Sequence, residues 1–214
     1  MSKETKIISS VGIVFFVLFA LLIYKTNDGP KPIVDSNLLI GQGSYMTSTK
    51  EAKVNVVEFG DYQCPACAYA SPIVQQLVKA YEGNQNVNFV FRNFPLPQHS
   101  NAMISAEAAE AARIQGKFLE MSEMLYDRQN EWSGNPKALE VFVKYAQELK
   151  LDTKIFTDSI NQQKFKDLII KDRSDGQALG VNSTPSFFIN GEKVVGIPNF
   201  EEFKKKIDEK LSAN

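Results

Sequence analysis

The sequence predicts an α/β fold: a partly parallel sheet with helices on its faces and an inserted all-helical domain. Three observations predict it. Strand signals flank a helical stretch near residue 70, a run of helices without strand signals fills the middle, and a hairpin followed by a helix closes the chain. Strands separated by helices need crossovers, which favour parallel pairing with helices packed on the sheet. A chain of 214 residues suits one such core with an insertion. With 43% hydrophobic and 23% charged residues, it is neither disordered, fibrous nor polytopic. Lys and Arg number 24 against 25 Asp and Glu, with no basic stripe, so nothing points to nucleic acid. Two cysteines are too few for a disulfide scaffold.

Residues 7–24 (IISSVGIVFFVLFALLIY) carry no charge. At 1.5 Å per residue such a run spans about 27 Å, close to the hydrocarbon thickness of a bilayer. Lys3 and Lys6 precede it, which predicts a cytoplasmic N-terminus. Residues 1–25 therefore read as a single-pass transmembrane anchor, with a cleaved signal as the alternative. No small-x-small site follows the run, which favours the anchor. Either reading puts the rest of the chain outside the cytoplasm: extracytoplasmic at the cell membrane, or secreted or periplasmic after cleavage.

Residues 26–37 are rich in Pro, Asn, Asp and Gly and read as a linker. Leu38-Leu39-Ile40 reads as a short first strand. Val54–Phe59 is apolar and β-branched, and Gly60-Asp61 ends it: a buried strand. A helix follows from Cys64, with Ala68, Ile73, Val74, Leu77, Val78 and Tyr81 at helical spacing, a kink expected at Pro72 and a stop at Gly83-Asn84. Val87–Phe91 alternates as a second strand. Helices are expected over 100–116 with Ser100 as N-cap, then over 118–128, 136–150, 152–161 and 165–179. Pro185–Ile189, the Asn190-Gly191 turn and Lys193–Gly196 read as a hairpin, and 200–211 as a closing amphipathic helix. Residues 38–98 and 181–214 thus form the sheet domain, and 99–180 the helical insertion.

Cys64-Pro65-Ala66-Cys67 carries the chemistry. Cys64 follows a strand and opens a helix, where unpaired N–H groups and the helix dipole favour thiolate over thiol. Pro65 suits the first helical position because its missing N–H costs nothing there. Cys67, one turn inward, can close a disulfide with Cys64 or resolve a mixed disulfide formed on it. Zinc is disfavoured: four ligands are normal, and His99 is the sole histidine. A purely structural disulfide across so short a loop contributes little stability. Glu58, six residues before Cys64, is either a buried carboxylate able to relay the Cys67 proton or an edge-strand residue facing water.

The segment Val57–Cys67 (VEFGDYQCPAC) resembles the active-site segment of the thioredoxin-like superfamily. More narrowly, it is similar to the DsbA-like thiol–disulfide oxidoreductases of the bacterial cell envelope, especially the membrane-anchored ones. Phe94–Ser100 before an alanine-rich helix resembles the start of that family's helical insertion. Thr184-Pro185 before a hairpin resembles its cis-proline loop. The resemblance covers roughly residues 38–212. It implies a thioredoxin-like fold, Cys64 as exposed nucleophile, Cys67 as buried partner, Glu58 as buried acid and Pro185 as a cis-proline. Thr184, Pro65 and Ala66 would meet an extended substrate strand. His99 reads as a loop residue, capping locally or facing solvent, and Trp132 as packing of the insertion. One departure stands out: strong oxidants of the family carry His where this chain has Ala66, so a cation that would stabilise the thiolate is missing.

The expected activity is a dithiol oxidase that introduces disulfides into exported cysteine-containing polypeptides. It needs no cofactor of its own, and a membrane quinone-coupled protein would reoxidise it. A reductase or isomerase on the same fold is one alternative. A non-catalytic binding, chaperone or metal-carrier domain is another.

Overall fold

A computed structural model of the chain describes residues 35–213, and the anchor expected over residues 7–24 and most of the linker lie outside them. Among the described residues no helix is long and apolar enough to cross a membrane. Residues 34–214 cluster as one compact unit.

Chain order is α1 (Ser36–Ile40), β1 (Tyr45–Met46), β2 (Val54–Gly60), α2 (Pro65–Ala80) and β3 (Val87–Asn93). The helices α3 (Ala102–Arg113), α4 (Phe118–Asp127), α5 (Gln129–Trp132), α6 (Ala138–Glu148), α7 (Thr153–Asn161) and α8 (Lys166–Ala178) follow. The hairpin β4 (Ser186–Ile189) and β5 (Glu192–Val194) then leads to α9 (Phe200–Ser212). The strands form one mixed sheet in the order β1-β3-β2-β4-β5. β2 pairs parallel with β3, the pairing that the α2 crossover demands, and antiparallel with β4.

Alternation along β2 sorts its side chains between two cores. Val54 and Val56 pack with Phe89, Phe187 and Ile189 of neighbouring strands and with Ala70, Val74 and Leu77 of α2 and Phe203 and Ile207 of α9. Val57 and Phe59 face the other way, onto Leu39, Ile40, Phe94 and Phe188. Helices α3 to α8 build a third cluster around Trp132, Phe142, Tyr145 and Phe156. α2 runs through Pro72 without a break, its outer side at that point facing solvent.

Leu38-Leu39-Ile40 is helical, not a strand. Asp35 caps it by accepting from Asn37 N at 2.8 Å, and the Leu38 and Leu39 carbonyls both accept from Arg92 Nη1. That guanidinium takes carbonyls which a ladder would otherwise have used. Ser100 is not the N-cap of α3 either. The helix starts at Ala102, and Asn101, which precedes it, makes no side-chain cap. Its amide reaches across to the carbonyls of Trp132, Ser133 and Asn135 instead.

Candidate active site

β2 ends at Gly60, and Asp61–Gln63 carry the chain to Cys64, the N-cap of α2, which has no side-chain cap bond. Pro65 fills the first helical position. Both cysteines are free. Cys67 is fully buried, and Cys64 is only 7% exposed although Pro65 and Ala66 beside it face solvent. The expectation of an exposed Cys64 is corrected to that extent, because the Thr184-Pro185 loop lies against its sulfur. As a thiol, Cys64 Sγ donates to the Thr184 carbonyl at 3.4 Å. The Thr184–Pro185 bond is cis.

The two thiols are driven apart. A hydrogen bond from Cys67 to its sulfur pulls the Cys64 pKa down to about 5, against desolvation, with help from the Thr184 side chain and the N–H groups of Cys67 and Ala66. Burial pushes Cys67 well above its ordinary value, and Cys64 and Glu58 add to that push. The outer sulfur is therefore the thiolate, and the inner one keeps its proton.

Glu58 is buried in β2, the central strand, so it is no edge residue facing water. Burial alone raises its pKa to about 8. Its carboxyl borders a groove of about 670 Å³ between α2 and α4, lined also by Ser71, Gln75, Ser122 and Tyr126. Gly60 makes room here: a Cβ would sit 3.0 Å from the Tyr126 hydroxyl and 3.3 Å from Glu58 Oε1. Among the described residues no group of three or more His, Cys, Asp or Glu side chains is placed to hold a metal.

Sequence reasoning missed the residues that fix the loop before Cys64. Asp61 is buried, and its Oδ1 accepts from Gln63 N while Oδ2 takes Leu96 N at 2.9 Å and pairs with His99 Nδ1 at 2.7 Å. His99, a loop residue with part of its ring exposed, is thus also a partner of the active-site loop. The Tyr62 hydroxyl pairs with Ser122 Oγ at 2.7 Å. Gln63 accepts from Asn101 N and donates to the Ser133 carbonyl, both at 2.6 Å. The available signal was polar residues packed beside a Cys-x-x-Cys pair, but sequence alone does not show their distant partners. Trp132 is fully buried, donates to the Leu125 carbonyl and packs edge-on to Phe142, within the insertion.

A family model described as Thioredoxin matches residues 43–209. Over 158 residues, 73% of this chain, it is 36% identical to "Na(+)/H(+) antiporter NhaA 1" of Salinispora arenicola, whose length the match covers to 23%. The chain spans about a quarter of the length of the curated relatives it matches. Among solved structures, a thioredoxin-like oxidoreductase from Silicibacter pomeroyi superposes with TM-score 0.68 at 29% identity, over 84% of this chain and 99% of that one. BdbD from Bacillus subtilis superposes with TM-score 0.70 at 22% identity, over 80% of this chain and 95% of that one. The thiol-disulfide exchange protein alpha-DsbA2 from Wolbachia pipientis gives 0.70 at 23%, over 82% and 91%.

Proposed function

We propose that this chain, which belongs to the thioredoxin family and has a thioredoxin-like fold with a helical insertion, is a thiol–disulfide oxidoreductase that runs as a dithiol oxidase on exported cysteine-containing polypeptides. One observation carries the reading: two cysteines three residues apart, Cys64 opening a helix against the Thr184–Pro185 loop and Cys67 buried behind it, an arrangement that drives their pKa values apart. Whatever stabilises the Cys64 thiolate stabilises the reduced state and makes the disulfide more oxidising.

In the oxidised enzyme a substrate thiolate attacks Cys64 Sγ. A mixed disulfide forms, the Cys64–Cys67 bond breaks, and Cys67 leaves with the electron pair. Cys67 then needs a proton, and Glu58, protonated at neutral pH, supplies it. A second substrate thiol loses its proton to water, from which Glu58 regains its own, and attacks the substrate sulfur of the mixed disulfide, so that Cys64 leaves as the stable thiolate. The substrate loses two electrons as its disulfide closes, and the cysteine pair gains them. Pro185 and the Thr184 backbone, with exposed Pro65 and Ala66, give an extended substrate segment its docking edge.

Reoxidation by a membrane quinone-coupled protein and anchoring through residues 7–24 complete the proposal. Their support is the uncharged run in the sequence and the raised local concentration that an anchor gives. The test is the reduction potential of the full chain in detergent, equilibrated across glutathione buffers and read by thiol alkylation. A value between about −180 and −120 mV is expected. A value near −270 mV would make the chain a reductase. No reversible two-electron couple would end the oxidoreductase reading.

A further inference from the structure

Every residue from Asp61 to Cys64 is held by the inserted helices or by the loop that enters them. Gln129, the first residue of α5, reaches the nucleophile's own backbone. Its Nε2 donates to the Tyr62 carbonyl at 2.7 Å and to the Cys64 carbonyl at 3.2 Å. One amide nitrogen has two hydrogens, and here each has a carbonyl of the nucleophile loop.

The Cys64 carbonyl is where α2 begins, since it accepts from Cys67 N and Ala68 N, both at 3.1 Å. Cys64 itself is extended, with φ −75° and ψ 121°, and its side chain caps nothing. The direction of its carbonyl fixes ψ, and with it the position of Sγ relative to the N–H groups of Ala66 and Cys67. Gln129 stands on a firm base: three residues on, buried Trp132 ties α5 to the Leu125 carbonyl at 3.0 Å and to the Phe142 ring at 5.2 Å.

We propose that Gln129 is a positioning residue for the nucleophile, through which the inserted helices hold the Cys64 sulfur over the first N–H groups of α2. The insertion is then part of the redox machinery as well as a wall beside it. The inference rests on the reading of Cys64 as the attacking thiolate.

The experiment follows thiolate absorbance against pH in the reduced full chain for wild type, Gln129→Met, Gln129→Ala and Arg128→Ala, with thermal unfolding of each. Gln129→Met keeps the length and removes both donors without adding a charge, so it carries the test if Gln129→Ala does not fold. Arg128→Ala removes the adjacent Arg128–Glu148 pair, bonded twice at 2.9 Å on the outer side of the same segment. In both Gln129 variants Cys64 should titrate higher by about half a unit or more, about a threefold shift in its thiolate equilibrium. Their equilibrium with glutathione should move about threefold in the same sense. Arg128→Ala should titrate as wild type. An unshifted Gln129→Met beside an acidified wild type overturns this inference alone, and so does an equal shift in all three variants. A wild-type Cys64 with an ordinary thiol pKa overturns it together with the proposed function.

Discussion

Two carboxylates are buried on opposite faces of the sheet, and the protein treats them in opposite ways. Asp172 of α8 meets Arg92 of β3, whose Nε lies 2.6 Å from its Oδ1, while Asn93 N and Ser44 Oγ take further positions on the same carboxylate. The guanidinium also reaches Asp175 at 2.7 Å and the carbonyls of α1. Burial raises the Asp172 pKa, but Arg92 and those donors oppose it. Glu58, across the sheet, has no ion-pair partner among the described residues, and nothing offsets its desolvation. The paired carboxylate serves as scaffold. The unpaired one can change protonation within the working range of pH.

Breaking the paired side should have the largest effect. Arg92→Ala leaves buried Asp172 and the α1 carbonyls without their cation, while Asp175 keeps Lys171 at 2.9 Å, and should cost about 3–5 kcal/mol in urea unfolding. The reduction potential of the fraction that stays folded should not move. If instead the potential shifts with stability, the division between scaffold and proton carrier fails.

Glu58→Gln should act in the reverse sense. A carboxyl whose folded pKa is about 8 against 4.5 in the unfolded chain holds its proton in the native state, so native stability falls as pH rises from 4.5 through 8. Removing the titration should make the variant more stable than wild type by about 3 kcal/mol at pH 7, a gain that vanishes below pH about 4.5. Release of Cys67 should slow by about a hundredfold, seen in stopped-flow exchange with a reduced peptide. Equal stability of variant and wild type at pH 7 would mean that Glu58 is solvated.

The smallest effect should come from Thr184→Val. Among the described residues the buried Thr184 hydroxyl has no hydrogen-bond partner, yet the side chain helps to lower the Cys64 pKa, as a donor reserved for the thiolate would. Valine keeps the shape and deletes the donor. Cys64 should titrate about one unit higher, with unfolding unchanged within about 1 kcal/mol. An unmoved titration would take the hydroxyl out of the account.

What could be read from the sequence was what is local. Val54–Phe59 and Val87–Phe91 have the runs of buried strands, and both strands lie where those runs put them. The hairpin turns at Asn190-Gly191, both at positive φ as that dipeptide suggests. Leu38–Ile40 misled because a short apolar run fits strand or helix alike, and the guanidinium of Arg92, more than fifty residues on, decided it. Tyr45–Met46 is a strand only by virtue of its partners Phe91 and Val90. At the site the cysteines announce themselves by a spacing of three. Asp61 with His99, Gln63 with Ser133 and Cys64 with Gln129 are 38, 70 and 65 residues apart, and pairs of that kind leave no mark on periodicity.

Both margins of the sheet are short: two residues in β1 and three in β5, with exposed Lys193 in the latter. Under the proposed function the substrates would be incompletely folded chains with free backbone, and a long flat margin would invite such chains to add themselves as further strands and seed aggregates. Clipped margins with a charge on one of them discourage that growth. An oxidoreductase of the kind proposed could thus hold an unfolded client at its reactive loop and let it go, without becoming the template for its precipitation.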